Sequence, residues 1–397
     1  MIKEISNKIA KKIPLLTYLL PSDQDESIRR HMLAHRNVKK YPKLDLVATN
    51  DIKPTKQDLL LTVRLIKAYK KAMYGQKVEK YASGLDIWSF LAKGPHAEFI
   101  KLLQKEDIGS IAFYLCNMSK MGITHGITQG EIEYKKITSD SNYRRWLTLF
   151  SLDKLLSLAE ALGVTPYENP EQRQSGLYAF PDTVLPKIEA SLRIPIIPPN
   201  IEGGLFKLKT KRGCIHSRDI MSLYTAWRCK EILKDVKNPS ICEIGPGIGK
   251  SAYYAYLMGI KSYTLIDLPH INVLQGFYLI KCLPSANIVL YGEMSKTKNN
   301  LIRILPDWSL STVPDKAFDL SLNQDSFAEI DKQTVIDYLR QTRVHTKKYF
   351  LSINQESQNT MMIGELRQNI VSKLVSEVKG FKQIYRFPYW LREGSVE

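Results

Sequence analysis

The sequence has few cysteines, and they form no pattern. The five, Cys116, Cys214, Cys229, Cys242 and Cys282, are scattered, odd in number and never spaced C-x-x-C. That argues against a disulfide scaffold or a zinc site and fits reduced thiols in a cytoplasmic core. No run of about 18 apolar residues is present, so no segment reads as a bilayer span. The apolar stretch LLTYLL stands between Pro14 and Pro21 and is too short for a secretory signal. Acidic residues are scarce: 40 Asp and Glu against 57 Lys and Arg give a net charge of +17. Such a surplus attracts anions, whether anionic lipid, phosphorylated substrates or nucleic acid. The basic residues are spread along the chain, with no basic stretch interleaved with aromatics, so nucleic acid is not the expected partner.

At 397 residues the chain exceeds one ordinary core, and two domains are expected. Ile2, Ile5, Ile9 and Ile13 share a face with lysines around them, predicting a basic amphipathic helix over residues 1–13. It would dock on the protein itself or give a peripheral foothold on anionic lipid at the inner face of the membrane. Residues 22–160 read as mostly helical. Thr55 and Asp58 form a capping pattern for a helix reaching about Met73. HGITQGE, residues 125–131, reads as an irregular loop. Prolines crowd residues 165–204, which sets the boundary between a mainly helical domain, 1–200, and a second domain, 201–397. GLFKLKTKRG reads as a hairpin arm, and the stretch from His216 to Asp235 as a helix.

Beyond residue 238 short apolar runs alternate with amphipathic segments. ICEI, SYTLIDL, NIVLYGE, AFDLSLNQ, KYFLSINQ and FKQIYRF read as strands, LIRILP as a short segment, and a helix is expected from Met361. This predicts an α/β fold with a doubly wound, mostly parallel, Rossmann-like sheet, whose ligands bind beyond the carboxyl ends of the strands.

The first of those ends is EIGPGIGKS. A triphosphate loop needs a glycine five positions before Gly249, and Ile244 stands there. A dinucleotide loop needs G-x-G-x-x-G, and Lys250 stands where the third glycine belongs. Glu243, just ahead of the loop, would repel a pyrophosphate and suit a cationic ligand. S-adenosylmethionine carries a sulfonium and an ammonium and no phosphate. Asp267 ends the second strand, where a carboxylate can accept from two ribose hydroxyls. Glu293 ends the third, near the expected adenine edge, and Asn323 and Gln324 end the fourth, beside the expected methyl donor.

With these residues the chain resembles the class I S-adenosylmethionine-dependent methyltransferases. More narrowly it resembles the sugar O-methyltransferases of surface-polysaccharide and O-antigen gene clusters. EIGPGIG, YTLIDLPHINVLQGFYL, LYGE, SLNQDSFAEI and YWLREGSVE carry the likeness over roughly residues 215–397. The resemblance implies that Glu243, Gly245, Gly247, Gly249 and Asp267 hold the cofactor, with Pro246 and Leu268 beside them. The family normally completes its sheet with a final antiparallel strand, so that strand is short here or the chain is abbreviated.

Transfer to a sugar hydroxyl benefits from a general base or a metal. Asp325 and Glu329, four apart, share a face if a helix has begun there, and either could take the proton. Asp325 could equally cap that helix through Ser326 and Glu329. His216 is the third candidate base. The paired carboxylates could instead hold Mg²⁺, though nothing else in the sequence indicates a metal. Tyr224, Trp390 and Arg392 suit contact with a sugar or its phosphate, or ordinary burial for the aromatics. The expected acceptor is a sugar hydroxyl of a phosphate-bearing nucleotide sugar, polysaccharide or lipid-linked glycan. The helical half would lid its site or mediate assembly, including into a homo-oligomer. A nicotinamide-dependent oxidoreductase, a non-catalytic glycan-binding module on a methyltransferase fold, and RNA methylation are the alternatives.

Overall fold

The computed structural model describes residues 44–76, 87–166, 180–295, 300–356, 368–392 and 394–397. The helix expected over 1–13 lies outside them, as does the start of the helix expected from Met361. Among the described residues no helix is long and apolar enough to cross a membrane.

The N-terminal half opens with strand β1 (Leu46–Ala48) and helix α1 (Lys56–Gly75). The capping box read from the sequence starts α1: Thr55 accepts from the Asp58 N–H, and Asp58 accepts from the Thr55 N–H at 2.8 Å. Helices α2 (Ile87–Lys93), α3 (Ala97–Lys105), α4 (Ile108–Cys116), α5 (Gly130–Ser139), α6 (Ser141–Ala161) and α7 (Pro181–Leu192) follow. The expected hairpin forms as β2 (Phe206–Thr210) and β3 (Gly213–Ile215), and β1 pairs with β2 to make a three-stranded antiparallel sheet. Residues on both sides of position 200 are thereby knitted together, and a single buried apolar cluster runs from Leu46 to Leu391.

Helix α8 (Ser217–Ile232) leads into the large sheet. Its strands are β4 (Ser240–Ile244), β5 (Ser262–Asp267), β6 (Asn287–Leu290), β7 (Leu301–Pro306), β8 (Phe318–Gln324), β9 (Thr346–Gln355) and β10 (Ser395–Val396). They lie in the order β10-β9-β8-β4-β5-β7-β6, and every neighbouring pair is parallel except β9 with β10. Helices α9 (Lys250–Leu257), α10 (Pro269–Cys282), α11 (Lys332–His345) and α12 (Val371–Val378) complete the C-terminal half. This is the expected doubly wound α/β sheet. The chain moves outward from β4 on one side and returns to β8 on the other, so the strand order reverses at β4, where such folds open a ligand crevice. Helix α10 is buried nearly all round because α1 covers its outer face, and Lys281 of α10 pairs with Asp58 of α1 at 2.7 Å.

Two strand readings change. LIRILP is a full strand, β7, and it intervenes between β5 and the edge strand β6. FKQIYRF is not a strand: only its last residue, Phe387, pairs, exchanging two backbone hydrogen bonds with Glu397, and Ile384 within it is 71% exposed. The sheet is closed instead by the two-residue antiparallel β10.

Candidate active site at the strand ends

The carboxyl ends of β4, β5, β7 and β8 surround a cleft of about 1280 Å³, its open mouth included. Gly245 and Gly247 form its floor with φ of +69° and +59°, a left-handed backbone that side chains disfavour. Both are also tightly covered. A Cβ at 245 would fall 2.3 Å from Ser326 Oγ, and one at 247 would fall 2.9 Å from Ile127 Cγ2. The HGITQGE loop is thus pressed onto the glycine loop, and its Ile127 and Thr128 line the cleft with Trp88 of α2. Buried Gln129 anchors it by donating to the Ser119 and Gly204 carbonyls and accepting from the Phe206 N–H. Pro246 lines the cleft, whereas Gly249 lies behind it against Leu265 and Leu279.

Lys250 explains why GKS here is not a phosphate loop. Its ammonium, buried, donates to Asp219 at 2.8 Å and Glu202 at 3.0 Å, and Glu202 also accepts from Ser119 Oγ. Burial opposes that charge, but the two carboxylates outweigh it and hold the lysine above its usual range. Sequence reading missed Asp219 and Glu202. The only local signal was a lysine heading an otherwise apolar helix.

Five carboxyls line the cleft, three of them at the ends of β4, β5 and β7. Glu243 accepts from Tyr263 Oη at 2.7 Å, and burial pushes it up to about 7. Asp267 accepts from the Leu268 N–H at 2.8 Å and from Gln275 at 2.9 Å. Burial, with repulsion from Asp307 and Glu243 added, raises it to about 8. Asp307, just past β7, is raised by burial to about 6. Among the described residues no cation stands among the main causes of these shifts. Leu268 lines the cleft beside Asp267. Gln275 also donates to the Gly247 carbonyl and so ties the glycine loop to Asp267. It was legible only as a polar residue inside the apolar run INVLQGFYL.

Glu293 is not in the cleft. Because β7 occupies the place next to β5, Asp307 takes the position expected of Glu293, which pairs at the sheet edge with Arg64 at 2.8 Å. Asn323 is fully buried beneath the cleft, donating to the Ile244 carbonyl and accepting from Asn354. Gln324 reaches the cleft and accepts from Thr225 Oγ1 at 2.7 Å.

Among the candidate bases, His216 is withdrawn. It caps α8, its Nδ1 accepting from the Arg218 N–H, and burial lowers it to about 3, leaving a neutral ring with its acceptor nitrogen engaged. Asp325 and Glu329 both line the cleft but share no helix. Asp325 has a left-handed φ of +64°, and α11 begins only at Lys332 with Asp331 as its cap. Asp325 therefore does not cap it. Burial raises Glu329 to about 7, Asp325 adds repulsion, and Arg392 and Arg218 oppose the rise. Arg392 lines the cleft. Tyr224 does not: it is buried behind, donating to Glu397 at 2.6 Å. Trp390 is half-exposed outside the cleft. Among the described residues no group of three or more His, Cys, Asp and Glu is arranged to hold a metal.

No protein-family model matches the chain, and no curated protein matches its sequence. Among solved structures, mitomycin 7-O-methyltransferase is 16% identical with a TM-score of 0.35, over 45% of this chain and 53% of that one. The chain thus matches about half the length of that structure. Phosphoethanolamine N-methyltransferase 2 of Haemonchus contortus, solved with S-adenosylhomocysteine, is 12% identical with a TM-score of 0.29, over 41% of this chain and 39% of that one. An arsenic(III) S-adenosylmethionine methyltransferase of Chlamydomonas reinhardtii is 17% identical with a TM-score of 0.27, over 41% of this chain and 62% of that one. These likenesses concern fold alone, and the strand order rests on the ladder pairings themselves.

Proposed function

We propose that the protein is an S-adenosylmethionine-dependent O-methyltransferase whose acceptor is a sugar hydroxyl. The observation that carries this is the set of three carboxyls, Glu243, Asp267 and Asp307, at the ends of adjacent strands around a glycine loop. Negative charge there disfavours a pyrophosphate, and the one lysine beside the loop is consumed by Asp219 and Glu202. The same charge favours a ligand with an ammonium and a sulfonium. Asp267 would accept from the ribose hydroxyls, Glu243 would answer the positive end, and Asp307 would face the base. Bound there, the cofactor supplies an electrophilic methyl group. The residues across the cleft hold the acceptor, Trp88 offering an apolar face and Glu329 accepting the hydroxyl proton. The sugar class rests on the resemblance of residues 215–397.

Mass spectrometry tests this reading. The protein, incubated with S-adenosylmethionine and a panel of nucleotide sugars and glycan fragments, should add one methyl group to an acceptor. Tight binding of a reduced nicotinamide with no affinity for S-adenosylhomocysteine would overturn it. Asp267→Asn should weaken S-adenosylhomocysteine roughly 10- to 100-fold, the loss of a charge-assisted hydrogen bond worth about 1.5–3 kcal/mol. Calorimetry reads that loss directly.

Cofactor affinity should also depend on pH. Asp267 near 8 and Glu243 near 7 hold protons in the cofactor-free protein, and they must release them to accept from the cofactor and face its positive charge. Affinity for S-adenosylhomocysteine should therefore rise from pH 6 to pH 8, with release of about one proton at pH 7. Asp307, Tyr263, Ser251 and Gln275 are the other charged or polar groups facing these carboxyls. Titration in two buffers of different ionisation enthalpy counts the protons. The same shifts make the cofactor-free protein less stable as pH rises from about 4 to 8, since the folded state keeps protons that the unfolded chain has lost.

A further inference from the structure

We propose that the acceptor carries an anionic group, a phosphate or a carboxylate, which Arg218 and Arg392 bind at the cleft wall. The inference rests on the methyltransferase reading and adds the substrate class. Arg218 comes from the first turn of α8 and Arg392 from the turn before β10, and both line the cleft. They converge on one carboxylate: Arg218 Nη1 lies 3.4 Å from Asp325 Oδ2, and Arg392 Nη1 lies 3.0 Å from Asp325 Oδ1. Two guanidiniums on one carboxylate leave a surplus positive charge. Asp325 is the more buried partner, at 17% exposed against 36% and 32% for the arginines, so the guanidiniums stand between it and solvent. Each guanidinium has five N–H donors in a planar fork suited to phosphate or carboxylate, and Asp325 occupies only part of that set.

The surroundings of the pair carry charges of both signs. Lys154 of α6, buried, donates to the carbonyl of Leu391, the residue before Arg392, and lies 4.2 Å from the Phe150 ring centroid. It fixes the turn that presents Arg392. Burial, with repulsion from Arg218 and Arg392, lowers its ammonium to about 7. Besides Asp325, the acids that act on this group are Asp153, Glu329 and Glu133, and burial raises the last two to about 7, which limits the charge they supply. A purely structural pair would need one arginine on Asp325. The second guanidinium, half-exposed to the cleft, has no such necessity. An anion held there would also sit beside Glu329, so that a hydroxyl on the same sugar comes within reach of the proton acceptor.

The test is calorimetric titration of the whole protein, saturated with S-adenosylhomocysteine, with inorganic pyrophosphate and separately with D-glucuronate. At least one should bind, with affinity falling as salt rises, and Arg218→Gln and Arg392→Gln should each weaken it at least 10-fold. S-adenosylhomocysteine affinity should stay within about 2-fold, and Arg392→Lys should recover part of the loss. Binding of pyrophosphate alone identifies a phosphate-bearing acceptor, and of glucuronate alone a sugar acid. Failure of both anions to bind, or equal binding by wild type and both variants, overturns the proposal. Thermal melting of each variant separates misfolding from lost binding. If S-adenosylhomocysteine itself fails to bind, the methyltransferase reading falls, while the same anion titrations on the unliganded protein still judge the arginines.

Discussion

Lys250→Met is expected to destabilise the protein by about 3–5 kcal/mol at pH 8. The ammonium is 4% exposed and the two carboxylates it bridges, Glu202 and Asp219, are 1% and 0% exposed. Removing it strands two negative charges in the core, and that uncompensated burial, rather than the lost attraction, sets the cost. The pH dependence should invert as well. In the wild type Asp219 is held below its usual range: burial works against its charge, and Lys250 chiefly overcomes it. That contribution to stability is present above the unfolded carboxylate value and is lost as pH falls through the lower folded one. In the variant both acids must take up protons to stay buried, so it should be more stable at pH 5 than at pH 8. Denaturant unfolding at the two pH values measures this. Adding Glu202→Gln and Asp219→Asn should restore much of the stability, because neutral groups can stay buried at lower cost. A loss below about 1 kcal/mol at pH 8 would mean that water reaches the cluster. The network joins the helix behind the glycine loop to α8 and to the residues before β2, so the variant should also bind S-adenosylhomocysteine more weakly.

The reach of the sequence had a physical limit. Buried parallel strands are short, continuous apolar runs, so β4, β5, β8 and β9 could be read directly, and the acids at the ends of β4 and β5 came with them. NIVL and LIRILP are equally apolar, and nothing local says which lies beside β5. That order is a long-range property, and with it Glu293 was chosen where Asp307 stands. Asp325 and Glu329 illustrate a second limit. A spacing of four suggests a helix, but the left-handed backbone at Asp325 delays it to Lys332, and the two acids reach the cleft from a turn instead. For His216 the residue type suggested a base, while burial and capping, invisible in a single sequence, make it a neutral acceptor. The charge surplus was legible. Its gathering of Arg218, Arg392 and Lys154 around Asp325 was not, because those residues come from α8, the C-terminal turn and α6.

Glu329→Gln should lower kcat by roughly 10²- to 10⁴-fold on whichever acceptor gains the methyl group, the range associated with loss of a general base. KM and S-adenosylhomocysteine affinity should change little, because glutamine keeps the size and the hydrogen-bonding reach of the side chain. The wild-type rate should rise with pH through about 7 and then level, since a proton acceptor works only when ionised and burial raises Glu329 to that value. Asp325 supplies the second contribution to the rise, by charge repulsion. Asp325→Asn should therefore move the ascending limb of the profile to lower pH, a change that an inert neighbour would not produce. It should also release Arg218 and Arg392 from their shared carboxylate and so tighten anion binding while shifting the rate profile. A Glu329→Gln enzyme with wild-type rate and an unchanged pH profile would show that the hydroxyl loses its proton to water and that the methyl transfer needs only the orientation of its two partners.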